Sequence, residues 1–288
     1  METLFALKNV KIREPGAVRA KLERIIADGK DNLHVISDFD ATMSTYWKDR
    51  KSGCRNTSAH GMVGRARVIS PECKATTEAL LAEYYPIEIS RDMTQDEKIP
   101  HMIDWWHGAH QALIGEKLTK QDVTEIVSES DILFRDGLKQ VLDDCFAKDI
   151  PFLVFSAGIA DVIEESLKQH GLWHPNMHIV SNKMRFNEQG ICDHFKEPLI
   201  HVFNKSEFQI ETTDYYENIA HRRNLILLGD SLGDLQMKEG VRHDLYLTIG
   251  FLNHDEEELL DKYLHAYDIL VLYDGSWNAV DAVLRQID

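Results

Sequence analysis

The stretch Leu33-His34-Val35-Ile36-Ser37-Asp38-Phe39-Asp40-Ala41-Thr42 decides how this chain is read. Leu33, Val35 and Ile36 make an apolar, partly β-branched run suited to a buried strand, and Asp38 and Asp40 arrive where that strand should end. In an open α/β sheet, ligands bind in the crevice beyond the carboxyl ends of the strands. Side chains two apart on an extended chain point the same way, so both carboxylates are aimed into that crevice. Their mutual repulsion is costly unless something cationic sits between them. Taken alone, the segment serves equally well as a helix N-cap or a turn, since Asp favours both.

Working outward, residues 15–28 carry Val18, Leu22, Ile25 and Ile26 at helical spacing before Gly29. Residues 43–69 are polar and lack periodicity. Ser70-Pro71 opens a helix expected to run to Tyr84, with proline at its first position. Thr94-x-x-Glu97 is a capping box leading into a helix through Met102, Trp106 and Leu113, which Pro100 should kink or restart. Thr119 begins another helix. Residues 45–133 thus read mainly as helices with no good strand. From residue 136 helix and strand alternate: strands at Pro151–Phe155, His178–Val180, Leu225–Leu228, Leu245–Ile249 and Ile269–Leu272, a hairpin at 184–195, and helices between them. Alternation of this kind implies a parallel sheet. The expected fold class is α/β, a Rossmann-like parallel-sheet core formed by residues 1–44 and 134–288, with a helical cap, 45–133, inserted after the first core strand.

The 288 residues are 43% apolar and 28% charged, as in ordinary globular proteins, and no apolar run approaches a membrane span. The N-terminus has no secretory signature, so a cytoplasmic location is expected. The four cysteines lie far apart without a C-x-x-C pair, which argues against zinc or redox use. A formal charge of −16 with no block of Lys and Arg argues against a nucleic-acid polymer as partner. Any anionic ligand must be gripped by local groups, because screening limits the global field to about 8 Å.

Such local groups recur after buried strands. Phe155 is followed by Ser156-Ala157-Gly158, a hydroxyl and two small residues suited to cradling phosphate. Leu228 is followed by Gly229-Asp230-Ser231-Leu232-Gly233-Asp234, and His201-Val202-Phe203-Asn204-Lys205 supplies an isolated lysine. Singly, each has a plain structural reading: a helix cap, a turn, a solvated lysine. Jointly they place several carboxylates, a hydroxyl and an ammonium at one rim of a parallel sheet. Carboxylate oxygens with phosphate suit Mg²⁺.

In this order D-F-D-A-T, F-S-A-G, the lone lysine and G-D-S-x-G-D resemble the four motifs of the haloacid dehalogenase superfamily of phosphotransferases. From about residue 12 onward the chain resembles the cytosolic 5′-nucleotidase III group, through V-I-S-D-F-D, Y-Y-P-I-E-I at Tyr84–Ile89, H-M-I-D-W-W at His101–Trp106, H-V-F-N-K and L-L-G-D-S. Ala41 stands where that group usually has methionine, and residues 47–69, with Cys54 and His60, follow its pattern poorly.

The resemblance implies a Mg²⁺-dependent 5′-nucleotidase acting on nucleoside 5′-monophosphates, and a monomer is expected. Asp38 would be the nucleophile forming an aspartyl-phosphate, and Asp40 the general acid and base. Mg²⁺ would be held by Asp38, the Asp40 carbonyl and Asp230. Ser156, the Ala157 backbone and Lys205 would grip the phosphoryl oxygens. In the insertion, Tyr46 and Trp106 would sandwich the base and Glu88 would accept its N–H groups. Adjacent Trp105-Trp106 points within the group to 7-methylguanosine 5′-monophosphate, whose cationic ring gains about 0.5–2 kcal/mol on an aromatic face. CMP, and more weakly UMP, would also serve. The alternatives are a pyrimidine 5′-nucleotidase with CMP and UMP as main substrates, or a non-catalytic nucleotide-binding module on the same scaffold.

Overall fold

A computed structural model of the chain describes residues 2–205, 214–239 and 242–288. The strands are β1 (Val10–Lys11), β2 (Leu33–Ser37), β3 (Trp47–Asp49), β4 (Cys54–Arg55), β5 (Phe152–Ile159), β6 (Met177–Asn182), β7 (Met184–Phe186), β8 (Cys192–Phe195), β9 (Asn224–Gly229), β10 (Leu245–Leu252) and β11 (Ile269–Leu272). Seven of these form one sheet in the order β1-β11-β10-β9-β2-β5-β6, and only β1 runs antiparallel.

The order explains where a site can form. From β2 the chain builds outward through β5 to β6, then crosses back to β9 on the other side of β2. The strand order therefore reverses beside β2, opening the crevice in which ligands of such sheets bind. Ser37 pairs with Leu228 and with Val154, so the ends of β2, β9 and β5 lie level. The ladder reaches one residue further, where Asp38 N–H donates to the Leu228 carbonyl at 3.0 Å.

Both faces of the sheet are covered, as the unbroken apolar strands require. Along β9, Ile226 and Leu228 join one core and Leu225 and Leu227 the other, the period of two expected of a strand. The first core takes Val18, Leu22 and Ile25 of the helix Pro15–Asp28, along with the helices Leu138–Ala147, Ala160–Gln169 and Asn278–Leu284. The second takes Tyr215, Ile219, Met237 and Tyr267.

Between β2 and β5 no segment joins the main sheet. The helices Pro71–Glu88, Gln95–Gly115 and Lys120–Ser128 begin at Ser70, Thr94 and Thr119, each accepting from a backbone N–H in its first turn. Four readings of the sequence need correction. The helix from Pro71 runs on past Tyr84 to Glu88. The helix Gln95–Gly115 runs on through Pro100 rather than restarting there, at the cost of one ladder bond. The stretch 43–69 holds the antiparallel pair β3–β4 and a helix, Ala59–Arg65, capped by Ser58. Strands of three and two residues are too short to show alternation. Finally, β5 does not stop at Phe155. It resumes at Ile159 after an irregularity, since Phe155 pairs with Val180 and Ile159 with Asn182. Residues 156–158 bulge off the ladder, as bulges beside active sites do.

The insertion docks on the core through Trp47, whose indole N–H donates to the Asn253 carbonyl at 3.1 Å, and through an Arg50–Glu256 ion pair at 2.6 Å. Among the described residues no helix is long and apolar enough to cross a membrane. Cys54 is exposed, Cys73, Cys145 and Cys192 are buried, and all are free.

Trp277 ties the last helix to the turn after Asp40. It is fully buried between Phe152 and Phe251, and its indole N–H donates to the Thr42 carbonyl at 2.9 Å. Trp277→Ala is expected to cost about 3–5 kcal/mol in urea unfolding, and a loss below about 1 kcal/mol would contradict this placement.

Candidate active site

Asp38 and Asp40 leave β2 at its carboxyl end, as the alternation requires. Ser37 Oγ donates to the Asp38 carbonyl at 2.7 Å, fixing the turn. The Asp40 carboxylate accepts the Ala59 N–H at 2.9 Å, at the start of the helix Ala59–Arg65. That helix can approach because residue 158 is glycine: a Cβ there would lie 2.8 Å from the Ala59 Cβ.

Lys205 is the hub. Its Nζ lies 2.6 Å from an Asp38 oxygen and 2.6 Å from an Asp234 oxygen, and all three side chains are buried. Burial works against the ammonium, but Asp234 and Asp38 outweigh it and leave the pKa above its ordinary value. The other Asp234 oxygen accepts Asp230 N–H at 3.1 Å and Ser231 N–H and Oγ–H at 2.9 Å each. Both oxygens of Asp234 are thus committed to protein donors. Gly229 makes room for it, since a Cβ there would meet the Asp234 side chain at 2.4 Å. Tyr263 and Tyr267 hold the same turn from behind through the Asp230 and Ser231 carbonyls.

Oxygens of Asp38, Asp230 and Asp234 lie within 4.8 Å of one another. Burial is the main reason that Asp38 is pushed up to about 6 and Asp40 to about 7, with the neighbouring carboxylates adding to it. Asp230 is raised well above the usual carboxylate range by burial and by Asp234 and Asp38. One ammonium does not balance this cluster. Asp38 and Asp230 present hard oxygen donors beyond those used by Lys205, the donor set that a divalent cation with retained waters takes. The residues fit a metal.

On the β5 side, Ser156 Oγ accepts Gly158 N–H at 3.0 Å. The Ala157 and Gly158 carbonyls both accept from Asn182, and that of Gly158 also from Ser181, which pins the bulge against β6. The structure therefore brings Asp38, Asp40, Ser156, Ala157, Lys205 and Asp230 to one rim.

The three expected base-side residues come from the insertion. Trp106 is 8% exposed, donates its indole N–H to the Ala157 carbonyl at 3.0 Å, and meets His60 and Trp105 edge-on. Trp105 stacks instead on Tyr84. Tyr46 stacks on His254 with centroids 4.5 Å apart, and the Arg55 guanidinium lies 4.2 Å over its ring. Glu88 ends its helix, and burial pushes its carboxyl up to about 7 against the opposing charges of Lys98 and Arg55.

Several residues escaped the sequence reading. Arg135, fully buried, donates to the Ala41, Thr42 and Gly275 carbonyls and pairs with Asp274 at 2.9 Å. Asp274 in turn accepts the Tyr46 and Trp47 N–H groups. This clamp fixes the turn after Asp40, where Ala41 has φ +58°, and the start of the insertion together. Arg135 carries no motif, and its partner lies far along the chain.

The sequence profile of the UMPH-1 pyrimidine 5′-nucleotidase family matches residues 41–288. The chain is 40% identical over 279 residues to the 7-methylguanosine phosphate-specific 5′-nucleotidase of Homo sapiens, covering 96% of this chain and 92% of that one. The protein of that name from Gallus gallus is also 40% identical, with 96% of each covered. A crystal structure of cytosolic 5′-nucleotidase IIIB bound to cytidine superposes with a TM-score of 0.86 at 29% identity, over 98% of this chain and 94% of that one. A substrate-bound phosphoserine phosphatase, at 14% identity and a TM-score of 0.51 over 89% of this chain and 98% of that one, shares the fold.

The crowded acids give a test. A carboxyl raised on folding favours the protonated folded state, so its contribution is full below the unfolded pKa near 4 and is lost as pH rises through about 6 to 7. Divalent cation must compete with those protons. The rise in melting temperature on adding Mg²⁺ is therefore expected to be larger at about pH 8 than at about pH 5. Equal shifts at both would contradict this reading of the cluster.

Proposed function

The chain belongs to the UMPH-1 pyrimidine 5′-nucleotidase family, and we propose that it hydrolyses 7-methylguanosine 5′-monophosphate and CMP, and UMP more weakly, through a phosphorylated Asp38. It is a 5′-nucleotidase of the haloacid dehalogenase fold. The observation that carries the mechanism is the ammonium of Lys205 at 2.6 Å from both Asp38 and Asp234, with Asp230 in the same cluster.

In this proposal an Asp38 oxygen attacks phosphorus, the bond from phosphorus to the nucleoside O5′ breaks, and Asp40 gives its proton to that oxygen. Asp40 then takes a proton from the water that attacks phosphorus, which frees phosphate and the Asp38 carboxylate. Ala59 holds one Asp40 oxygen and leaves the other for the proton. Lys205 and Ser156, with the backbone at Ala157, bind phosphoryl oxygens, each such contact being worth ~3 kcal/mol in the transition state. Asp38, the Asp40 carbonyl and Asp230 would hold Mg²⁺, which would neutralise phosphoryl charge and orient the group. Asp234 braces Lys205 and the turn.

Residues 45–133 act as the cap over a core of 1–44 and 134–288, and supply base recognition. Glu88 accepts base N–H groups, and Trp106 and Tyr46 provide aromatic surface. Stacking on Tyr46 requires Arg55 to move off its ring. The relatives named for 7-methylguanosine phosphate support the methylated purine, and the cytidine bound by the structural neighbour supports CMP. The names of cytosolic relatives support a cytosolic location.

Asp38→Asn is expected to lower kcat more than about 10³-fold with an unchanged circular-dichroism spectrum, since the nucleophile alone is lost. Near-normal phosphate release by that variant would reject the covalent route. The kcat/KM values for 7-methylguanosine 5′-monophosphate and CMP, measured side by side, test the substrate assignment. It is wrong if neither exceeds the value for AMP.

A further inference from the structure

Lys98 is a buried ammonium with no role in the reaction described above. It sits in the early part of the helix Gln95–Gly115 and is 9% exposed. Its Nζ donates to the carbonyls of Glu88 at 2.9 Å and Ser90 at 2.5 Å. These belong to the C-terminal end of the helix Pro71–Glu88, where free carbonyls and the helix dipole favour a cation. The ammonium also lies 5.6 Å from the centroid of the Phe203 ring, and the Gln95 side chain donates to the Phe203 carbonyl at 3.1 Å. Phe203 is two residues from Lys205. Lys98 therefore spans the helix end that carries Glu88 and the loop that carries the phosphate-binding lysine.

No carboxylate lies within ion-pair distance of Lys98 among the described residues. Taking an unpaired ammonium out of water is costly, and two carbonyl dipoles offset that cost only in part. The Lys98 charge acts on the Glu88 side chain, which belongs to the residue whose carbonyl it holds. Burial opposes its ionisation, while Lys98 from the next helix and Arg55 from β4 favour it. Arg55 is itself engaged with the Tyr46 ring and the Tyr85 hydroxyl. Lys98, hydrogen-bonded twice to the end of the helix Pro71–Glu88, is the fixed member of the pair.

We propose that Lys98 is a positioning and specificity-determining residue, holding the helix end that carries Glu88 so that its carboxylate selects bases with an exocyclic amino group over uracil. This rests on the reading of Glu88 as the base-binding acid. An ionised carboxylate only accepts, and so takes the amino group of cytosine or the N1–H and amino group of a guanine, whereas uracil offers a single N–H flanked by two carbonyls that repel it. A protonated Glu88 could donate to O4 of uracil. Losing the charge of Lys98 thus removes discrimination by allowing Glu88 to keep its proton.

The test is the ratio of kcat/KM for CMP to that for UMP, measured from about pH 6 to about pH 8.5 for the wild type, Lys98→Met, Lys98→Arg and Glu88→Gln. The ratio cancels the ionisation of the phosphate, which the two substrates share. The wild-type ratio should climb with pH. In Lys98→Met it should fall at least about fivefold at neutral pH and recover at the alkaline end, a recovery that a purely structural lesion does not give. Lys98→Arg should keep the wild-type profile, and Glu88→Gln should give a low ratio independent of pH. If Glu88→Gln is flat but Lys98→Met keeps the wild-type ratio and profile, the role of Lys98 is overturned while base binding by Glu88 stands. If Glu88→Gln itself keeps the wild-type profile, Glu88 does not read the base and both fall.

Discussion

A single buried ammonium set among carboxylates is the constraint from which the rest of this structure follows. Lys205 contacts Asp38 and Asp234 at ion-pair distance, Asp230 adds a further acid to the cluster, and Asp40 stands close by. Groups of like charge cannot all ionise out of water without a counter-charge. Burial and mutual repulsion therefore raise the carboxyls of Asp38, Asp40 and Asp230, and the cluster has the charge to receive a divalent cation. The parallel sheet reconciles this with a stable fold. Its apolar strands provide burial on both faces, while the acids are confined to one rim, where backbone N–H groups and tyrosine hydroxyls fix the loops.

The insertion is joined to that rim at a few defined points. Ala59 donates to Asp40, Trp106 donates to the Ala157 carbonyl, and the Arg135–Asp274 pair binds the turn after Asp40 to the backbone of Tyr46 and Trp47. At the rim, Asp38 and Asp230 follow strand ends and Ser156 lies in the β5 bulge, whereas Lys205 comes from a turn between β8 and β9. Residues 45–133 contribute helices and a short strand pair whose aromatic and charged groups already contact one another, as Arg55 does with Tyr46.

Much of this was legible in the sequence because strands announce both their burial and their ends. Val35 and Ile36 marked β2, and the level termini of β2, β5 and β9 turned separated motifs into one rim. Helix starts were equally plain, since Thr94 and Thr119 each cap their helix reciprocally with an acid three residues on. What stayed hidden depends on tertiary contact. The β5 bulge that shapes the Ser156 cradle follows from its pairing with β6, which no local pattern encodes. Arg135 and Asp274 lie 139 positions apart in the chain, so neither signals the other. Nothing in the sequence singles out Lys98, whose partners are carbonyls at the end of the preceding helix.

The most direct measurement is chemical trapping during turnover. The protein, mixed with CMP and Mg²⁺, is quenched in acid, reduced with borohydride and mapped by peptide mass spectrometry, since reduction converts an acyl-phosphate on aspartate to an alcohol. Conversion confined to position 38, and dependent on substrate, is the predicted result. An unmodified Asp38 under conditions where phosphate is released, or conversion at another carboxylate, would contradict the account.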